Sequence, residues 1–513
     1  MKKVIIVGGG ISGLTTGIYL LDNGYDVHIY EKHSIPGGSC TGWVRDGIYI
    51  DGCAHWIMGT NPKSCLRPIW DHIGAFDGVD IFETDELTTF DIDGKPFAFH
   101  ANLKDLEKEM LALSPQDKWM IWCFIRTVEA YTHVSIPLEK PLERMNLFET
   151  MLFGLSMIKA AIPYALYRKT SIPSYGKKFK DPRLGELFSR FMGEDYNMHS
   201  FFYVLQGFCT HDTGIMEGGS LRLATRVANT FRRNGGTIHL NSPVSQVVVE
   251  GRKAKGILLE GKEELIEADY VVISTDTFET FNKLLPNAKM PRFFSERYSQ
   301  KKGYALVSAF QISLAADINM SSYPRMSDFL VEPFEIAKKT VKNFAVRNYS
   351  FDKTLSSDNR TLLTILLPTN EATYDYLESL SQEEYQKVKR EVGERFLRLT
   401  SKHMGIGLDH LSLLDVATPL TYARYTNAYK GAYMSFVTTK HAKGLMGKTI
   451  LKGYDNLLLG GQWLMPPGGL PIAIMIGKHA AYNLCYLDGK KFVNKEERKN
   501  KGPLRTDLKP CKS

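Results

Sequence analysis

The sequence predicts an α/β protein whose main sheet is parallel. Residues 3–7 form a short β-branched run, and a glycine-rich turn and a helix-compatible stretch at residues 14–23 follow it. A second strand pattern covers residues 24–31, and continuous apolar runs return at residues 268–274 and 455–459. Uninterrupted apolar strands that alternate with helices are typical of a parallel sheet buried on both faces.

The length and composition indicate a soluble globular protein of two or three lobes. The chain has 513 residues, of which 43% are hydrophobic and 23% charged, and these values are ordinary for that class. Its net charge is +8, and residues 490–513 hold nine Lys and Arg against three Asp and Glu, a surplus of six. The excess is therefore predicted to lie in a solvated C-terminal tail, and no nucleic-acid partner is expected.

Cysteine usage and the N-terminus predict a cytoplasmic protein. Seven cysteines, an odd number without a CxxC pair, indicate reduced thiols and argue against a disulfide framework or a metal site. Met1, Lys2 and Lys3 before an apolar run resemble a signal sequence, but glycines interrupt the run and a second strand continues the fold. No stretch reaches the roughly 20 apolar residues of a spanning helix. We therefore expect membrane association, if any, at the membrane surface only.

The glycine-rich turn is a phosphate-binding motif. Residues 8–13 read Gly-Gly-Gly-Ile-Ser-Gly and satisfy the pattern GxGxxG between a strand and a helix. In that setting Gly8 permits the tight turn, Gly10 lets the backbone approach a pyrophosphate, and Gly13 lets helix and strand pack closely. The free N–H groups and the positive dipole end of the helix face the phosphates. The motif predicts a Rossmann-like dinucleotide-binding domain.

The residues after the second strand indicate which dinucleotide binds. The strand ends in Glu31, eighteen residues after the last glycine of the motif, where a carboxylate accepts hydrogen bonds from ribose hydroxyls and repels a 2′-phosphate. A second glycine-rich loop follows at residues 32–42. This arrangement resembles the FAD-dependent amine oxidases, protoporphyrinogen oxidases and carotenoid desaturases. The resemblance implies that the dinucleotide is FAD and that Glu31 binds its adenosine ribose. Gly37, Gly38 and Thr41 would then line the flavin.

Another glycine-rich segment lies near the end of the chain. Residues 455–463 read as a buried strand that runs into Gly460 and Gly461, and a helix begins near Pro471. Proline suits the first helical turn, and a helix N-terminus stabilises negative charge on reduced flavin by roughly 0.3–1 kcal/mol. The segment is most similar to the phytoene desaturase, carotenoid isomerase and retinol saturase group. Many members carry an acidic residue where this chain has Gln462, whose amide is expected to hydrogen-bond a phosphate or a ribityl hydroxyl.

The resemblance to the phytoene desaturase, carotenoid isomerase and retinol saturase group extends to the middle of the chain. Residues 237–244 read as a strand and a turn, and the resemblance places the adenine against the main chain at Val244. It implies an α/β fold with a Rossmann-like, amine-oxidase-like FAD-binding domain and an inserted α+β substrate-binding domain. The predicted ranges are 1–60, 200–280 and 450–487 for the discontinuous FAD-binding domain, 61–199 and 281–449 for the substrate-binding cap, and 488–513 for the basic C-terminal tail.

One strongly apolar stretch, residues 146–166, has two interpretations. It lines a substrate tunnel or docks on a membrane, or it is simply a buried cap helix that Pro163 interrupts. Its polar residues, Glu149, Ser156 and Lys159, are few for an interfacial helix. The sequence therefore favours a buried or tunnel-lining helix over a membrane-docking one.

Residues beside the two glycine-rich segments are the candidates for the substrate side of the flavin. Trp56, Trp463 and Met465 are predicted to border the ring there. His55 is a candidate acid or base, although a hydrogen-bonded structural histidine is the favoured interpretation. The cofactor-binding residues that the resemblance implies are, together, Gly8, Gly10, Ile11, Ser12, Gly13, Glu31, Lys32, Gly37, Gly38, Ser39, Thr41, Val244, Gly461, Gln462, Leu470 and Ile472.

These features predict an FAD-dependent oxidoreductase that desaturates, saturates or isomerises carbon–carbon bonds of an apolar, carotenoid-, retinoid- or lipid-like substrate. The flavin exchanges a hydride while the protein supplies orientation and electrostatics. A flavin amine oxidase and a non-catalytic lipid- or prenyl-binding module, similar to the GDP-dissociation inhibitors, are the alternatives. No second complete GxGxxG unit occurs, so any NAD(P) is expected to bind only as a transient co-substrate.

Overall fold

The computed structural model describes residues 1–53, 56–134, 136–300, 303–356, 358, 360–443 and 446–496. The strands in this part of the chain are, in order, β1 (Lys3–Val7), β2 (Asp26–Tyr30), β3 (Gly42–Arg45), β4 (Ile48–Asp51), β5 (Ile57–Met58), β6 (Ile81–Phe82), β7 (Glu86–Ile92), β8 (Lys95–His100), β9 (Thr213–Met216), β10 (Thr237–His239), β11 (Val244–Glu250), β12 (Lys253–Leu259), β13 (Ile266–Glu267), β14 (Tyr270–Ile273), β15 (Tyr304–Ala305), β16 (Ser308–Ala316), β17 (Met326–Ile336), β18 (Lys339–Asn348), β19 (Thr361–Thr369), β20 (Leu411–Ala417), β21 (Val437–Thr438) and β22 (Leu457–Leu459).

The helices alternate with these strands in the first and last parts of the chain and cluster between β8 and β9. They are α1 (Ile11–Asp22), α2 (Arg67–His72), α3 (Leu103–Leu113), α4 (Lys118–Tyr131), α5 (Leu147–Ser156), α6 (Ile158–Tyr167), α7 (Ile172–Gly176), α8 (Pro182–Met192), α9 (Met198–Cys209), α10 (Gly219–Arg233), α11 (Thr277–Glu279), α12 (Arg292–Ser299), α13 (Glu371–Glu378), α14 (Gln382–Met404), α15 (Pro419–Thr426) and α16 (Leu470–Leu487).

A five-stranded parallel sheet in the order β10-β2-β1-β14-β22 forms the centre of the fold. Every residue of β14 and of β22 is buried, as expected for strands covered on both faces. The predicted α/β fold with a Rossmann-like parallel sheet is confirmed. The strands of the sheet fall inside the ranges predicted for the FAD-binding domain, whose boundaries remain a prediction.

Two helices from opposite ends of the chain, α1 and α16, pack against each other beside this sheet. A Cβ atom at Gly477 of α16 would lie 2.7 Å from the carbonyl oxygen of Ser12 in α1. A Cβ atom at Gly13 would lie 2.1 Å from the carbonyl oxygen of Gly8. Glycine is therefore required at position 477 because no side chain fits between α16 and α1. It is required at position 13 because no side chain fits between α1 and the turn that precedes it.

The rest of the chain builds a second sheet and a helical lobe. The seven-stranded sheet has the order β20-β16-β19-β18-β17-β7-β8, and its neighbouring strands are antiparallel except β7 and β17, which run parallel. The long helix α14 packs on β20 and β16. Helices α3, α4, α7, α8 and α9 share an aromatic core that includes Phe124, Tyr175, Phe188, Phe201 and Phe202. These lobes have the α+β character that the resemblance implied for the inserted part.

The apolar stretch at residues 146–166 differs from the favoured prediction. It forms two helices, α5 and α6, that meet at a bend of 70°. No residue of α5 is buried, and Ala160 is the one buried residue of α6. The interpretation as a buried cap helix is therefore wrong, because the pair lies on the outside of the helical lobe and apolar composition alone does not report burial. The tunnel-lining interpretation agrees with the structure in part, because Ala160 and Tyr164 of α6 line a cavity.

A membrane span requires a long helix of high hydropathy. No single helix in the described ranges meets these requirements, whereas the bent pair α5 and α6 does so when its two helices are taken together.

The first part of the basic C-terminal segment packs on the central domain. Glu496 pairs with Lys478 of α16 at 2.6 Å, and the two side chains are 2% and 1% exposed. Asp488 is also buried and accepts a hydrogen bond from the Tyr25 hydroxyl at 2.8 Å. This part of the segment is therefore not fully solvated, and residues 497–513 lie outside the described residues.

The contact between α1 and α16 predicts the effect of adding one methyl group. Gly477→Ala forces the two helices apart and is expected to lower the free energy of unfolding by about 1–3 kcal/mol. Gly154→Ala in α5 is the matched control, because no heavy atom lies within 4 Å of its Cβ position. Alanine stabilises an exposed helix interior by up to about 1 kcal/mol. Thermal denaturation of both variants measures the difference, and equal midpoints would contradict the close packing.

Candidate functional site

A cavity of about 1540 Å³ opens at the carboxyl ends of the parallel strands and extends into the second lobe. Ligands of open α/β sheets bind at this edge. Of the sequence-predicted cofactor residues, Gly13 and Thr41 do not lie on its wall. Gly13 packs beneath the turn, and the carbonyl oxygen of Thr41 accepts the N–H of Gly52. The cavity wall brings together Gly8, Gly10, Ile11, Ser12, Glu31, Lys32, Gly37, Gly38, Ser39, Val244, Gly461, Gln462, Leu470 and Ile472.

The first glycine turn fits a pyrophosphate. Gly8 has a φ of +103°, in the region that favours glycine, and a Cβ atom there would lie 3.0 Å from the carbonyl oxygen of Ser274. Gly10 is different, because its φ of −70° suits any residue and its Cβ position has no protein atom closer than 3.9 Å. The fold does not need glycine at position 10, whereas a phosphate that approaches the main chain does. Helix α1 begins there without a side-chain cap, so its first N–H groups face the cavity.

Glu31 is held by the loop that surrounds it. Its Oε2 atom accepts the N–H of Gly9 at 2.8 Å and its Oε1 atom accepts the N–H of His33 at 2.9 Å. A carboxylate offers about four acceptor positions, so two remain for hydroxyl donors. The side chain is thus fixed at the cavity wall with acceptor capacity left. That it binds the adenosine ribose stays a prediction.

Lys32 connects the nucleotide-binding part to the segment after α15. Its ammonium group donates to the carbonyl oxygen of Arg424 at 2.9 Å and to the side chain of Asn427. Burial lowers the pKa of this lysine below its usual value. The contacts that the structure shows for Lys32 are therefore between protein groups, and its role toward the cofactor stays a prediction.

The closing segment is tied to the first turn. The hydroxyl oxygen of Ser12 accepts the N–H of Gly461 at 2.9 Å, although 449 residues separate them. The Oε1 atom of Gln462 accepts the N–H of Gly469 at 2.7 Å. The oxygen of Gln462 thus orders the loop before α16, and the contact of its amide with a phosphate or a ribityl hydroxyl stays a prediction.

Helix α16 begins at this loop with Gly469 as its N-cap and with no side-chain cap. Leu470, Pro471, Ile472 and Ala473 of its first turn all lie on the cavity wall. The uncapped N–H groups and the positive dipole end are therefore directed at the cavity, where they stabilise an anion. A reduced flavin carries such a charge, so this turn fits FAD as well as the first one does.

The aromatic candidates occupy different environments on the wall. Trp56 is 38% exposed and stacks on Phe208 with ring centroids 5.5 Å apart. Trp463 is 4% exposed and packs between Tyr298 and Phe436, at 6.2 Å and 5.3 Å. Trp463 is therefore a packing residue as well as a wall residue. Met465 also lies on the wall, and His55 lies outside the described residues.

A buried carboxylate supports the aromatic group around Trp463. Asp276 accepts the N–H of Tyr429 at 2.7 Å, the N–H of Phe278 at 2.6 Å and the hydroxyl of Tyr298 at 3.2 Å. Burial raises the pKa of Asp276 to about 6. Asp276 thereby links the cavity wall to the ring that stacks on Trp463.

Sequence reasoning missed a chain of polar groups on the same wall. The hydroxyl of Tyr422 donates to Oε1 of Gln311 at 3.0 Å, and Nε2 of Gln311 donates to the carbonyl oxygen of Asp51 at 2.7 Å. Burial raises the pKa of Tyr433, a further wall residue, to about 12, so its hydroxyl is protonated at neutral pH. No local pattern marks these residues, because Gln311 lies in β16 and Tyr422 in α15.

Two buried charges in the far part of the cavity compensate each other. Arg190 donates to Asp328 at 2.7 Å, and the side chains are 5% and 1% exposed. Asn343 donates to the other carboxylate oxygen of Asp328 at 2.7 Å. His199 lies nearby on the wall, and burial lowers its pKa to about 4, so it is neutral at physiological pH. Arg347 also lies on this wall, and its buried Nη1 atom has no hydrogen-bond partner among the described residues, so one polar site remains open in an otherwise paired region.

Comparison with known proteins identifies the family. Residues 11–485 match the family described as flavin containing amine oxidoreductase. The chain belongs to this family. The sequence of this flavin-containing oxidoreductase is similar to a 4,4'-diapophytoene desaturase (4,4'-diapolycopene-forming) of Methylomonas sp, at 24% identity over 92% of each chain. It is also similar to a chloroplastic prolycopene isomerase of Daucus carota, at 24% identity over 94% of this chain and 79% of the relative.

Solved structures show the same fold. An oxidoreductase from Methanosarcina mazei superposes with a TM-score of 0.59 at 16% identity, covering 94% of this chain and 100% of the other. The cyclohexylamine oxidase from Brevibacterium oxydans superposes with a TM-score of 0.57 at 13% identity, covering 95% and 100%. The predictions of FAD as cofactor and of an FAD-dependent oxidoreductase are confirmed. The alternative of a non-catalytic binding module is accordingly set aside.

The described part of this oxidoreductase shows no group of three or more His, Cys, Asp or Glu that could hold a metal ion. Its six described cysteines are free thiols.

The open Cβ position of Gly10 predicts a variant that loses cofactor and keeps the fold. Gly10→Ala places a methyl group where the pyrophosphate approaches, and we expect FAD to bind at least about tenfold more weakly, a change of roughly 1.4 kcal/mol. Flavin absorbance per protein and titration of the apoprotein with FAD measure the effect. The thermal midpoint of the apoprotein should stay that of the wild type. Gly154→Ala is the control, and full retention of FAD by the Gly10 variant would contradict the assignment.

Proposed function

We propose that this flavoenzyme acts on carbon–carbon bonds of an extended apolar substrate of the carotenoid, retinoid or lipid type. The observation that carries the proposal is a cavity that continues from the flavin site into a region with a largely apolar wall, where the buried Arg190 and Asp328 are paired. The similarity to a desaturase and an isomerase of carotenoids supports the same substrate class. Desaturation, saturation and isomerisation share this geometry.

Different parts of the chain have different roles in such a reaction. FAD, when bound, supplies the acceptor or donor of the hydride. The first turn of α16 stabilises negative charge at the flavin end of the cavity. Gln311 and Tyr422 hold each other in place on the wall, so the substrate side keeps a defined shape. The apolar wall excludes water from the reacting carbons.

An amine oxidase is the second candidate. It is favoured by the tyrosine pair on the wall, Tyr422 and Tyr433, since aromatic rings that face a flavin suit the cation–π binding of amines. Against it, the Tyr422 hydroxyl is already engaged with Gln311, and the cavity far exceeds the size of a small amine. We rank this function second.

We further propose that the enzyme works in the cytoplasm, in contact with a membrane surface where an apolar substrate is stored. The free thiols of the described cysteines support a reducing compartment. NAD(P), if it takes part, is proposed as a transient electron carrier, because the described glycine turn is used by the flavin nucleotide and Glu31 disfavours a 2′-phosphate there.

Anaerobic reduction of the bound flavin tests the substrate class. We expect loss of the oxidised flavin absorbance with at least one carotenoid, retinoid or unsaturated lipid presented in detergent, and no change with primary or secondary amines. If the physiological direction is saturation or isomerisation, flavin reduced chemically beforehand should convert the same compounds. Reduction by amines together with no reaction of any apolar compound, in either flavin state, would overturn the proposal.

Trp56 on the cavity wall predicts a variant that loses turnover and keeps its stability. Trp56→Ala should lower kcat/KM about 10- to 100-fold, because a misplaced substrate reacts poorly, while FAD content and thermal midpoint stay unchanged. Trp122→Ala is the matched control, since Trp122 is also exposed and stacked, on Trp119 at 4.9 Å, but lies off the cavity wall. Equal turnover of the two variants would show that Trp56 does not border the substrate.

Trp463 is tested by a more conservative substitution than alanine. Trp463→Ala removes a buried side chain and should cost about 3–5 kcal/mol of stability, so a loss of activity alone says little. Trp463→Phe keeps an aromatic ring between Tyr298 and Phe436. We expect this variant to retain FAD and to react more slowly with the apolar substrate, and wild-type kinetics would exclude Trp463 from the substrate side.

A further inference from the structure

The outer face of helices α5 and α6 is apolar and exposed. In α5, residues Leu147, Met151 and Leu155 recur every four residues and are 88%, 52% and 54% exposed. In α6, Ile158, Ile162 and Leu166 recur in the same way and are 62%, 70% and 62% exposed. Residues four apart lie on one face of a helix. The two helices therefore present continuous apolar rows, which Phe148 and Leu152 extend.

This face belongs to well-formed helices. The Asn146 side chain accepts the N–H of Glu149 at 2.8 Å, and the Glu149 carboxylate accepts the N–H of Asn146 at 2.8 Å, which is a complete capping box. Lys140 then neutralises Glu149 at 2.8 Å. A contiguous apolar patch of this kind on a folded surface marks a site of interaction with a protein or a membrane.

The opposite face of α6 reaches the cavity. Met157, Ala160 and Tyr164, spaced three and four residues apart, lie on the cavity wall together with Val134 and Ile136. Helix α6 is thus a thin partition, with the substrate cavity on one side and its exposed apolar row on the other, and α5 continues the apolar surface beyond it.

Positive charge surrounds the exposed rows. Lys159 lies within α6, and Arg168 and Lys169 follow its last turn; all three are exposed. Lys178 lies 5.6 Å from the ring centroid of Tyr167, the last residue of α6. None of these four cations forms a salt bridge with a carboxylate in the described part of the chain. Residues 140–180 hold eight Lys and Arg against two Glu.

Resting on the function proposed above, we infer that α5 and α6 form a docking surface for an anionic phospholipid bilayer and that the apolar substrate enters the cavity past this partition. Each helix has 10 residues and is therefore about 15 Å long, half the thickness of a hydrocarbon core. With a bend of 70° between them, the helices lie in the interface rather than cross it. A second copy of the chain is the poorer partner, because a two-fold contact would bring like charges together.

Vesicle flotation of the purified holoenzyme tests the surface without any substrate. We expect the wild type to float with vesicles of phosphatidylcholine and phosphatidylglycerol, and more weakly with phosphatidylcholine alone. The triple variant Leu147→Glu, Leu155→Glu and Ile162→Glu should partition at least about tenfold less, because the apolar face drives insertion. The matched control is Val44→Glu, Leu330→Glu and Leu408→Glu, three exposed apolar residues elsewhere, and it should float like the wild type.

Flavin absorbance and the thermal midpoint show whether each variant is folded. A second triple variant, Lys159→Gln, Arg168→Gln and Lys169→Gln, tests the role of the exposed cations. It should lose the preference for anionic vesicles and keep the residual binding to neutral ones.

The outcomes separate this inference from the proposed function. A wild type that does not float, or a triple Glu variant that floats equally well, overturns the docking surface while leaving the flavin chemistry untouched. A wild-type dimer that the triple Glu variant converts to monomer would assign the face to self-association and also overturn it. Conversely, flotation with no reaction of any apolar compound would reject the proposed substrate class alone. Turnover of the triple Glu variant should be normal with substrate in detergent and reduced at least about tenfold with substrate in vesicles.

Discussion

The structure depends on the close approach of α1 and α16, two helices from opposite ends of the chain. They meet at Gly477, where no Cβ atom fits, and the hydrogen bond from the N–H of Gly461 to the hydroxyl of Ser12 fixes the loop before α16 against α1. The approach places two uncapped helix N-termini on one cavity. When FAD is bound, both positive ends would act on it, and the resemblance places one near its phosphates and the other near its ring. The remaining lobes are inserted between these two helices and complete the other walls.

Local signals were sufficient to predict the central sheet and the phosphate turn, because the tasks of Gly8, Gly10 and Gly13 depend on a single strand–turn–helix unit. The pair of Tyr422 and Gln311 was not predictable, since it exists only where α15 packs on β16. The exposed face of α5 and α6 was missed for another reason. A protein interior and a lipid interface select the same apolar side chains, so composition predicted the helices and left their surroundings open.

The site also shows how a flavoenzyme fold accommodates different substrates. The groups predicted to hold the cofactor are largely main-chain N–H groups at turns and helix ends, which tolerate changes of side chain. The far part of the cavity is made by side chains of the inserted lobes, among them Phe191, Phe344 and Leu366. Substrate choice can therefore change by replacing wall residues of these lobes without disturbing the nucleotide site.

The buried ion pair of Arg190 and Asp328 has a consequence for the history of the chain. Losing one partner leaves an uncompensated charge beside an apolar cavity, which costs about 3–5 kcal/mol, whereas replacing both by apolar residues is often neutral. Evolutionary intermediates that change only one of the two residues are therefore disfavoured, and the two positions are expected to coevolve. Among descendants of this sequence we expect residues 190 and 328 to be kept together or lost together, so that either one reports on the polarity of the cavity.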